Sequence, residues 1–245
     1  MAGIAGSSSS NRDVLELMLG RLYHRGPAGK WIHHGKRVAL GCCVLPSEAK
    51  QSARTHAQMG GAAAVIDGHL FCEDEPQLAE GDLLITLYNR FGPSFVERLD
   101  GDFAFALATD SELILAKDAV GLRPLFYGYK DGALYFASEM KALLGLCAEV
   151  LELPPSHVYT QQRGLRPFKS LQYSVPGFDS PEEAARILAD LLRKAVEMRL
   201  KDGHVGGVLL SGGLDSSIIA YLAKEIQSNL KTFTVGTGIN SSEDL

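Results

Sequence analysis

Apolar and polar residues follow two different patterns along this chain. Over roughly the first 145 residues, short apolar runs separated by turn dipeptides predict strands, interrupted by two helical stretches. The predicted strands are residues 37–45, residues 62–66 and four runs after Asp102. Asp67-Gly68, Asp110-Ser111 and Asp131-Gly132 are the predicted turns between strands. Because these runs are apolar on both faces, they favour stacked antiparallel sheets in an α+β domain.

Two helices are predicted within this part. Asn11 is a suitable N-cap for the first helix, which should end before Gly26-Pro27, and the second helix is predicted from Asp82 to Phe91. The expected apolar face of the first helix consists of Val14, Leu15, Leu17, Met18 and Leu22.

Prolines change the pattern between Cys147 and Asp179, so we place a connecting segment at residues 151–179, after a first domain at residues 1–150. Residues 180–245 then form a second domain. Ser180-Pro181 begins a strongly predicted helix that should run to about Lys201. A strand at residues 207–210, a helix from Leu214 to about Ile226 and a strand at residues 232–236 follow. This βαβ order predicts a parallel sheet. The expected apolar stripe of the first helix consists of Ile187, Leu188, Leu191, Ala195, Val196 and Leu200.

Composition and charge narrow the function classes. The 245 residues are 46% hydrophobic and 22% charged, which is typical of a globular protein. A net charge of −5 without long blocks of one sign argues against a nucleic-acid partner. The sequence has neither an 18-residue apolar run nor a signal peptide, so we expect no membrane partner and a cytoplasmic location. The four cysteines contain no C-x-x-C pair, so zinc and disulfides are not expected.

A glycine-rich loop between a predicted strand and a predicted helix points to phosphate chemistry. Its sequence, Ser211-Gly212-Gly213-Leu214-Asp215-Ser216-Ser217, lets backbone N–H groups and a helix N-terminus face an anion. The kinase-type sequence G-x-x-x-x-G-K-[ST] is absent. The loop resembles the pyrophosphate loop of the ATP pyrophosphatase family. A tight glycine turn that feeds a helix is the structural alternative, but it leaves the hydroxyls and Asp215 unexplained.

That resemblance implies ATP as substrate and Mg²⁺ as its companion ion. Asp215 would hold the metal, since a carboxylate suits a hard cation. Leu210 and Val235 would hold the adenosine, although both fit buried strand positions equally well. The residues implied for pyrophosphate are Ser211, Gly212, Gly213, Ser216 and Ser217.

The N-terminus carries a second resemblance. Met1-Ala2-Gly3-Ile4 is similar to the start of class II glutamine amidotransferases, in which a cysteine follows Met1 and attacks the glutamine amide. Here Ala2 holds that position. Further matching segments are residues 24–27, 67–68, 99–106, 118–125 and 137–143. With the phosphate loop, they resemble the glutamine-hydrolysing asparagine synthetase family over essentially the whole chain, which implies an αββα fold of the N-terminal-nucleophile type.

The departures from the family cluster at the implied glutamine pocket. Val44 stands where the family has a carboxylate-binding arginine, and Asp67-Gly68-His69 stands where it has Asn-Gly-Glu. An ionised Asp67 would repel an oxyanion. The family aspartate for the substrate amine falls at Glu80, or at Asp82 with a small register shift, and another aspartate is replaced by Ala28. We therefore expect a naturally inactive glutaminase site; an engineered Cys-to-Ala change would explain Ala2 alone.

The resemblance implies an ATP-dependent amide ligase. A carboxylate such as that of aspartate would be adenylated, and ammonia, a glutamine-derived amine or another amine would displace AMP. Two alternatives remain: a non-enzymatic amidotransferase-like scaffold, and a variant of a true glutamine-dependent asparagine synthetase. The family continues for some two hundred residues after the position of Leu245. We therefore expect this chain alone to adenylate nothing, and expect either a second chain that completes the domain or a fragment of a longer protein. A homodimer is a further option.

Overall fold

The computed structural model describes residues 2–46, 55–72, 75, 77–110, 112–170, 177–200 and 207–236. The chain divides into two compact units, Met1–Gln172 and Tyr173–Leu245.

The first unit contains two antiparallel sheets, each with six strands among the described residues. Its strands are β1 (Gly3–Ser7), β2 (Gly29–His34), β3 (Ala39–Val44), β4 (His56–Met59), β5 (Ala62–Leu70), β6 (Gly101–Ala108), β7 (Leu113–Lys117), β8 (Phe126–Lys130), β9 (Ala133–Ala137), β10 (Val150–Glu152), β11 (His157–Thr160) and β12 (Gly164–Pro167). Its helices are α1 (Arg12–Arg21) and α2 (Glu80–Phe91). The strand order is β10-β8-β9-β1-β3-β2 in the first sheet and β12-β11-β7-β6-β5-β4 in the second.

Four layers follow from three separate cores. Apolar residues of α1, such as Met18 and Leu19, pack on the first sheet. A second cluster, which includes Ile4 and Phe136, lies between the two sheets. A third cluster packs α2 against the second sheet. The αββα arrangement expected from the sequence is therefore confirmed.

Helix α1 begins where the sequence predicts. The side chain of Asn11 accepts a hydrogen bond from the Val14 N–H at 3.1 Å, which satisfies one free donor of the first turn. The predicted apolar face is wrong at one position: Leu17 is 52% exposed, whereas Leu19 is fully buried. Because Leu15, Met18, Leu19 and Leu22 follow i, i+3, i+4, i+7 spacing, they share the face toward the sheet.

Asp67-Gly68 does not form the predicted turn. Both residues lie inside β5, which pairs with β6 from Ala63↔Ala108 to Leu70↔Gly101. Gly68 has a φ of +129°, and a Cβ there would lie 1.9 Å from the Asp102 carbonyl oxygen. The glycine is needed for close contact between two strands rather than for a turn.

Residues 151–170 also differ from the expectation of a connecting segment. They contribute to β10, β11 and β12, which extend both sheets. The prolines there do not break the pairing because Pro154 and Pro155 lie between strands, while Pro167 ends an edge strand. The first compact unit accordingly runs to Gln172.

The second unit consists of α3 (Pro181–Leu200), β13 (Val208–Leu209), α4 (Leu214–Ile226) and β14 (Thr232–Phe233). The two strands pair in parallel, as predicted. Ser180 Oγ accepts a hydrogen bond from the Glu183 N–H at 3.1 Å and caps α3. Lys201, the predicted helix end, lies outside the described residues, as do Ser111 and the segment 241–244.

The predicted stripe on α3 is only partly covered in this unit. Val196 is buried and contacts α4 residues such as Leu222. Leu188 and Leu191 are 57% and 61% exposed. Within the part of the chain that the structure describes, no helix is both long and apolar enough to span a bilayer.

Candidate functional site

Ala2 immediately precedes β1, one of the two central strands of the first sheet. β1 pairs with β3 on one side and β9 on the other, so its first residues are enclosed and Ala2 is 1% exposed. Arg25 Nε donates a hydrogen bond to the Ala2 carbonyl oxygen at 2.9 Å. Ser138 Oγ accepts one from the Ile4 N–H at 2.9 Å. The position that resembles the family nucleophile therefore has a rigid backbone and an inert methyl group.

Arg25 links Ala2 to two carboxylates. Its Nη2 donates to Asp67 Oδ2 at 2.5 Å, and its Nη1 lies 3.2 Å from Glu139 Oε1. Asp67 is fully buried on β5, and its Oδ1 has no hydrogen-bond partner among the described residues. The side chain at the family's oxyanion-donor position is thus an acceptor held by an arginine.

Burial and nearby positive charge have opposite effects on the pKa of each carboxyl group. Burial raises the pKa of Asp67 above its usual value, against the lowering effect of Arg25 and Arg123. Burial alone would also raise the pKa of Glu139. Hydrogen bonds from Lys141, His24 and Arg25 outweigh it and lower that pKa to about 2. Glu139 is therefore the more firmly ionised partner of Arg25.

His69 and Glu80 form a second pair. His69 Nδ1 lies 3.4 Å from Glu80 Oε1, and this hydrogen bond raises the pKa of His69 against the effect of burial. Asp82, the alternative by register, instead acts on His56, whose pKa is lowered by burial and partly restored by the Asp82 charge. The structure brings Glu80, rather than Asp82, to His69.

Val44 is not joined to these charged pairs. It is a half-buried residue of β3 that packs with the core between the sheets. Its carbonyl oxygen accepts from the Ala28 N–H at 3.0 Å, and a Cβ at Gly26 would lie 2.6 Å from its backbone nitrogen. Ala28 and Val44 thus meet through backbone groups and bring no charge.

A loop after β7 supports the neighbouring strands. The buried carboxylate of Asp118 accepts hydrogen bonds from the backbone N–H groups of Phe103, Val120, Gly121, Leu122 and Arg123. Arg123 in turn donates to Asp102, with Nε at 3.0 Å. Asp102 is the residue opposite His69 on the paired strand. This loop therefore fixes a second half-buried arginine beside the Asp67-Gly68-His69 segment.

The glycine-rich loop lies between β13 and the N-terminus of α4. Gly212 has a φ of +93°, which favours glycine, and Gly213 is the N-cap. Ser216 Oγ and Ser217 Oγ both donate to the Gly213 carbonyl oxygen, at 3.1 and 2.8 Å. Ser211 Oγ lies 3.0 Å from Ser216 Oγ. The hydroxyls hold the loop in shape and leave its face open to solvent.

Asp215 lies exposed in the first turn of α4. Leu210 follows β13, and its carbonyl oxygen accepts from Thr234 Oγ1 at 2.7 Å. Val235 follows β14 and is 89% exposed, so the interpretation of its side chain as a buried strand residue is wrong. The structure thus places Leu210, Asp215 and Val235 at the carboxyl ends of two parallel strands.

Sequence reasoning assigned no role to Arg25, Arg123, Asp102 or Glu139. All four lie in segments that resemble the family, and that resemblance is the sequence signal that marks these positions. Apart from Lys141, two residues after Glu139, their side-chain partners are 21 to 115 residues away in sequence, so a local pattern does not reveal them. Among the described residues, no group of three or more His, Cys, Asp and Glu side chains could hold a metal ion.

Comparison with known proteins agrees with this geometry. A model of the glutamine amidotransferase domain matches residues 77–170, and an asparagine synthase model matches residues 187–245. An asparagine synthetase [glutamine-hydrolyzing] 2 from Arabidopsis thaliana is 31% identical over 99% of this chain. A rice (Oryza sativa subsp. japonica) protein of the same name is 30% identical over 99%. The chain belongs to the asparagine synthetase family.

This member spans about half the length of those relatives, 46% and 45% respectively. Among solved structures, a glutamine phosphoribosylpyrophosphate amidotransferase from B. subtilis matches with a TM-score of 0.55 and 20% identity. The match covers 95% of this chain and 65% of the other. At that identity the match supports the fold alone.

Proposed function

We propose that the protein acts in ATP-dependent amide formation of the asparagine synthetase type, with a first domain that no longer hydrolyses glutamine. In this proposal the first unit is the amidotransferase-type domain, and residues 180–245 are the opening part of the ATP pyrophosphatase domain. The observation that carries the ligase assignment is the loop Ser211–Ser217, at the N-terminus of α4 between parallel strands.

The loop has the donors that a pyrophosphate group needs. The first N–H groups of α4 lack partners within the helix, and the helix dipole adds partial positive charge. Gly212, with positive φ, allows the backbone to approach an anion. The hydroxyls of Ser216 and Ser217 donate to the Gly213 carbonyl oxygen, so they would have to rotate away from it before they could donate to pyrophosphate. The backbone N–H donors need no such rotation, and donors fixed in this way would stabilise the negative charge of a departing pyrophosphate.

Asp215 fits a role in holding Mg²⁺. Its carboxylate is exposed beside the same donors, and oxygen ligands suit this ion. Bound there, Mg²⁺ would neutralise charge on the ATP phosphates. Leu210 and Val235 flank the loop and would contact the adenosine.

The proposed loss of glutaminase chemistry rests on two replacements. The methyl group of Ala2 cannot attack an amide. Asp67, tied to Arg25, offers an acceptor where a developing oxyanion requires a donor. Val44 adds no charge for a glutamine carboxylate, although Gly68, His69 and Glu80 retain polar groups nearby. Ammonia or another amine would then replace glutamine-derived ammonia.

The carboxylate substrate would be aspartate or an analogue, and the reaction would take place in the cytosol. The chain covers about half of its relatives, so a complete synthetase domain requires further chain or a partner chain. A homodimer is compatible with either arrangement.

Nucleotide binding tests the loop assignment. Titration of the 245-residue chain with pyrophosphate and with Mg·ATP should show saturable binding that Asp215→Ala weakens at least tenfold for Mg·ATP. Asp190→Ala removes an exposed carboxylate from α3 and should leave binding unchanged. Failure of both ligands to bind would overturn the ligase proposal for these residues.

Ammonia release tests the glutaminase assignment. The protein, Ala2→Cys and the double variant Ala2→Cys/Asp67→Asn are compared after removal of Met1 has been verified by mass. We expect no turnover from the first two. Turnover by Ala2→Cys alone would show that Asp67 does not block the chemistry and would favour an ordinary glutamine-dependent parent enzyme.

A further inference from the structure

A polar cleft lies at the end of the first unit where β1 ends. Turns from both sheets enclose it: the β2–β3 turn and the serines after β1 on one side, the β6–β7 turn on the other. It has two adjoining lobes of about 340 and 460 Å³. Both lobes are lined by Lys36, Arg37, Val38, Thr109 and Asp110. We call this region the turn cleft.

One wall of the turn cleft carries hydrogen-bond donors that suit a carboxylate. Lys36 and Arg37 stand side by side in the β2–β3 turn, and an arginine fork matches the two oxygens of a carboxylate. Ser8 lines the same lobe, and its Oγ accepts a hydrogen bond from the Leu134 N–H at 2.9 Å. Because that bond uses a lone pair of the hydroxyl, its proton can be donated to a ligand.

The facing wall has one exposed carboxylate and one buried carboxylate. Asp110 lies exposed in the β6–β7 turn, with Oδ2 close enough to Gly61 that a Cβ there would be 3.3 Å away. Glu112 also lines the cleft, but its Oε1 accepts a hydrogen bond from the Tyr88 hydroxyl of α2 at 3.2 Å. Asp110 is therefore the carboxylate that can receive a ligand.

The opposite charges do not neutralise each other. Among the described residues, no ion pair within 4.0 Å joins Lys36 or Arg37 to Asp110. Two exposed cations and one exposed carboxylate thus line the same cavity without pairing with each other. A compact ligand with one negative and one positive group could pair with Lys36, Arg37 and Asp110 at the same time.

We propose that the turn cleft binds a small zwitterion of the α-amino acid class. Its carboxylate lies against Lys36, Arg37 and Ser8, and its ammonium group against Asp110. A phosphate group fits less well, because Asp110 would face its second negative charge. The inference does not depend on the proposed ligase function, since the cleft is made by the first unit alone.

The turn cleft is distinct from the Ala2 region. β5 leads from Gly61 at the cleft to Asp67, six residues further, which is about 20 Å at about 3.3 Å per residue. An amino acid bound in the cleft is therefore not glutamine in the implied amidotransferase pocket.

Glycine is the smallest probe with both charges. A ¹H–¹⁵N NMR titration of the full chain with glycine is compared with titrations using acetate, methylammonium and inorganic phosphate. We expect saturable shifts at the amides of Lys36, Arg37 and Asp110 with glycine, and weaker binding of either half-molecule. Loss of one charge-assisted contact in Asp110→Asn or Arg37→Gln should weaken glycine binding about tenfold or more.

Matched controls are Glu97→Gln and Lys130→Gln, which remove exposed charges elsewhere on the first unit and should leave glycine binding unchanged. The dispersion of each spectrum reports whether a variant is folded. The proposal is overturned if glycine causes no saturable shift at the cleft. It is also overturned if phosphate or acetate binds as tightly as glycine and Asp110→Asn does not change the affinity for glycine. The cleft would then be a simple anion site.

Discussion

At the scale of single residues, the carboxylate of Glu139 gives the clearest electrostatic prediction. Its pKa of about 2 in the folded protein is below the ordinary value of 4.5. A lowered folded-state pKa means that the stabilisation is complete above the unfolded value and is lost as pH falls through the folded value. Wild-type protein should therefore lose this contribution between about pH 5 and about pH 2.

Glu139→Gln removes that contribution at neutral pH. Allowing for the partial exposure of the side chain, we expect a destabilisation on the order of 2 kcal/mol at pH 7 that vanishes near pH 2. Denaturant unfolding at several pH values measures it. Glu97→Gln, at an exposed site, is the control, and a difference that stays constant with pH would contradict the role given to the Arg25, His24 and Lys141 contacts.

Gly68 gives a steric prediction at the same scale. Gly68→Ala would place a Cβ 1.9 Å from the Asp102 carbonyl oxygen at a φ of +129°. Strain and overpacking should destabilise the first unit by about 3 kcal/mol or more. Gly29→Ala is the matched control, because its Cβ meets nothing within 4 Å. Thermal unfolding gives the melting temperatures of both variants. Equal values would contradict the close contact between Gly68 and the Asp102 carbonyl oxygen.

At the scale of elements, the cap of α1 is testable by itself. Asn11→Ala removes the acceptor for the Val14 N–H and should cost about 1 kcal/mol of unfolding free energy. Asn11→Asp keeps an acceptor at the positive end of the helix and should restore most of it. Equal losses in the two variants would show that the hydrogen bond is not the cause.

The two leucines of the second unit offer another comparison. Leu222 of α4 is 5% exposed in the α3–α4 core, whereas Leu191 of α3 is 61% exposed. Leu222→Ala should destabilise the unit by about 2–5 kcal/mol and Leu191→Ala by less than about 0.5 kcal/mol. Urea unfolding followed by helix circular dichroism measures both. A large loss at Leu191 would reveal that something covers it in solution.

The elements also show where sequence reasoning works. Caps and turn dipeptides are local, so Asn11, Ser180 and Asp131-Gly132 predict their elements correctly. Asp67-Gly68 gives the same local signal as a turn, but pairing with β6 overrides it. β1 is too short to show a periodicity, and its partners β3 and β9 are distant in sequence. β12 is also too short, although its partner β11 lies just before it in the chain.

The residues of the candidate site also fall into two groups, those that the sequence reveals and those that only the structure reveals. The loop Ser211–Ser217 is contiguous, so its composition and order are visible in the sequence. The contacts of Arg25 with Asp67 and Glu139 span 42 and 114 residues. Only the resemblance to a family marks those positions, and it does not reveal which groups touch. Geometry was needed to show that Asp67 is held by an arginine.

At the scale of the whole molecule, the two units differ in how much core they have. The first unit has three extensive apolar clusters, whereas the described core of the second is centred on Val196, Leu222 and Ala223. Amide hydrogen exchange should therefore be slower in α2 than in α4, two helices of similar length. Mass spectrometry of peptides from both helices tests this expectation. Equal protection would mean that α4 is covered in solution by contacts other than those of the α3–α4 core.

The central position of β1 has a consequence for synthesis. β1 contains residues 3–7, yet one of its two neighbours in the sheet, β9, begins at residue 133. At about 5–20 residues per second, a ribosome needs on the order of ten seconds to make the chain between them. Until then one edge of β1 has no native partner, and an open edge is prone to mispairing. We infer that nascent chains of this protein are most vulnerable to aggregation before β9 emerges, and that a chaperone acting on them is needed chiefly in that interval.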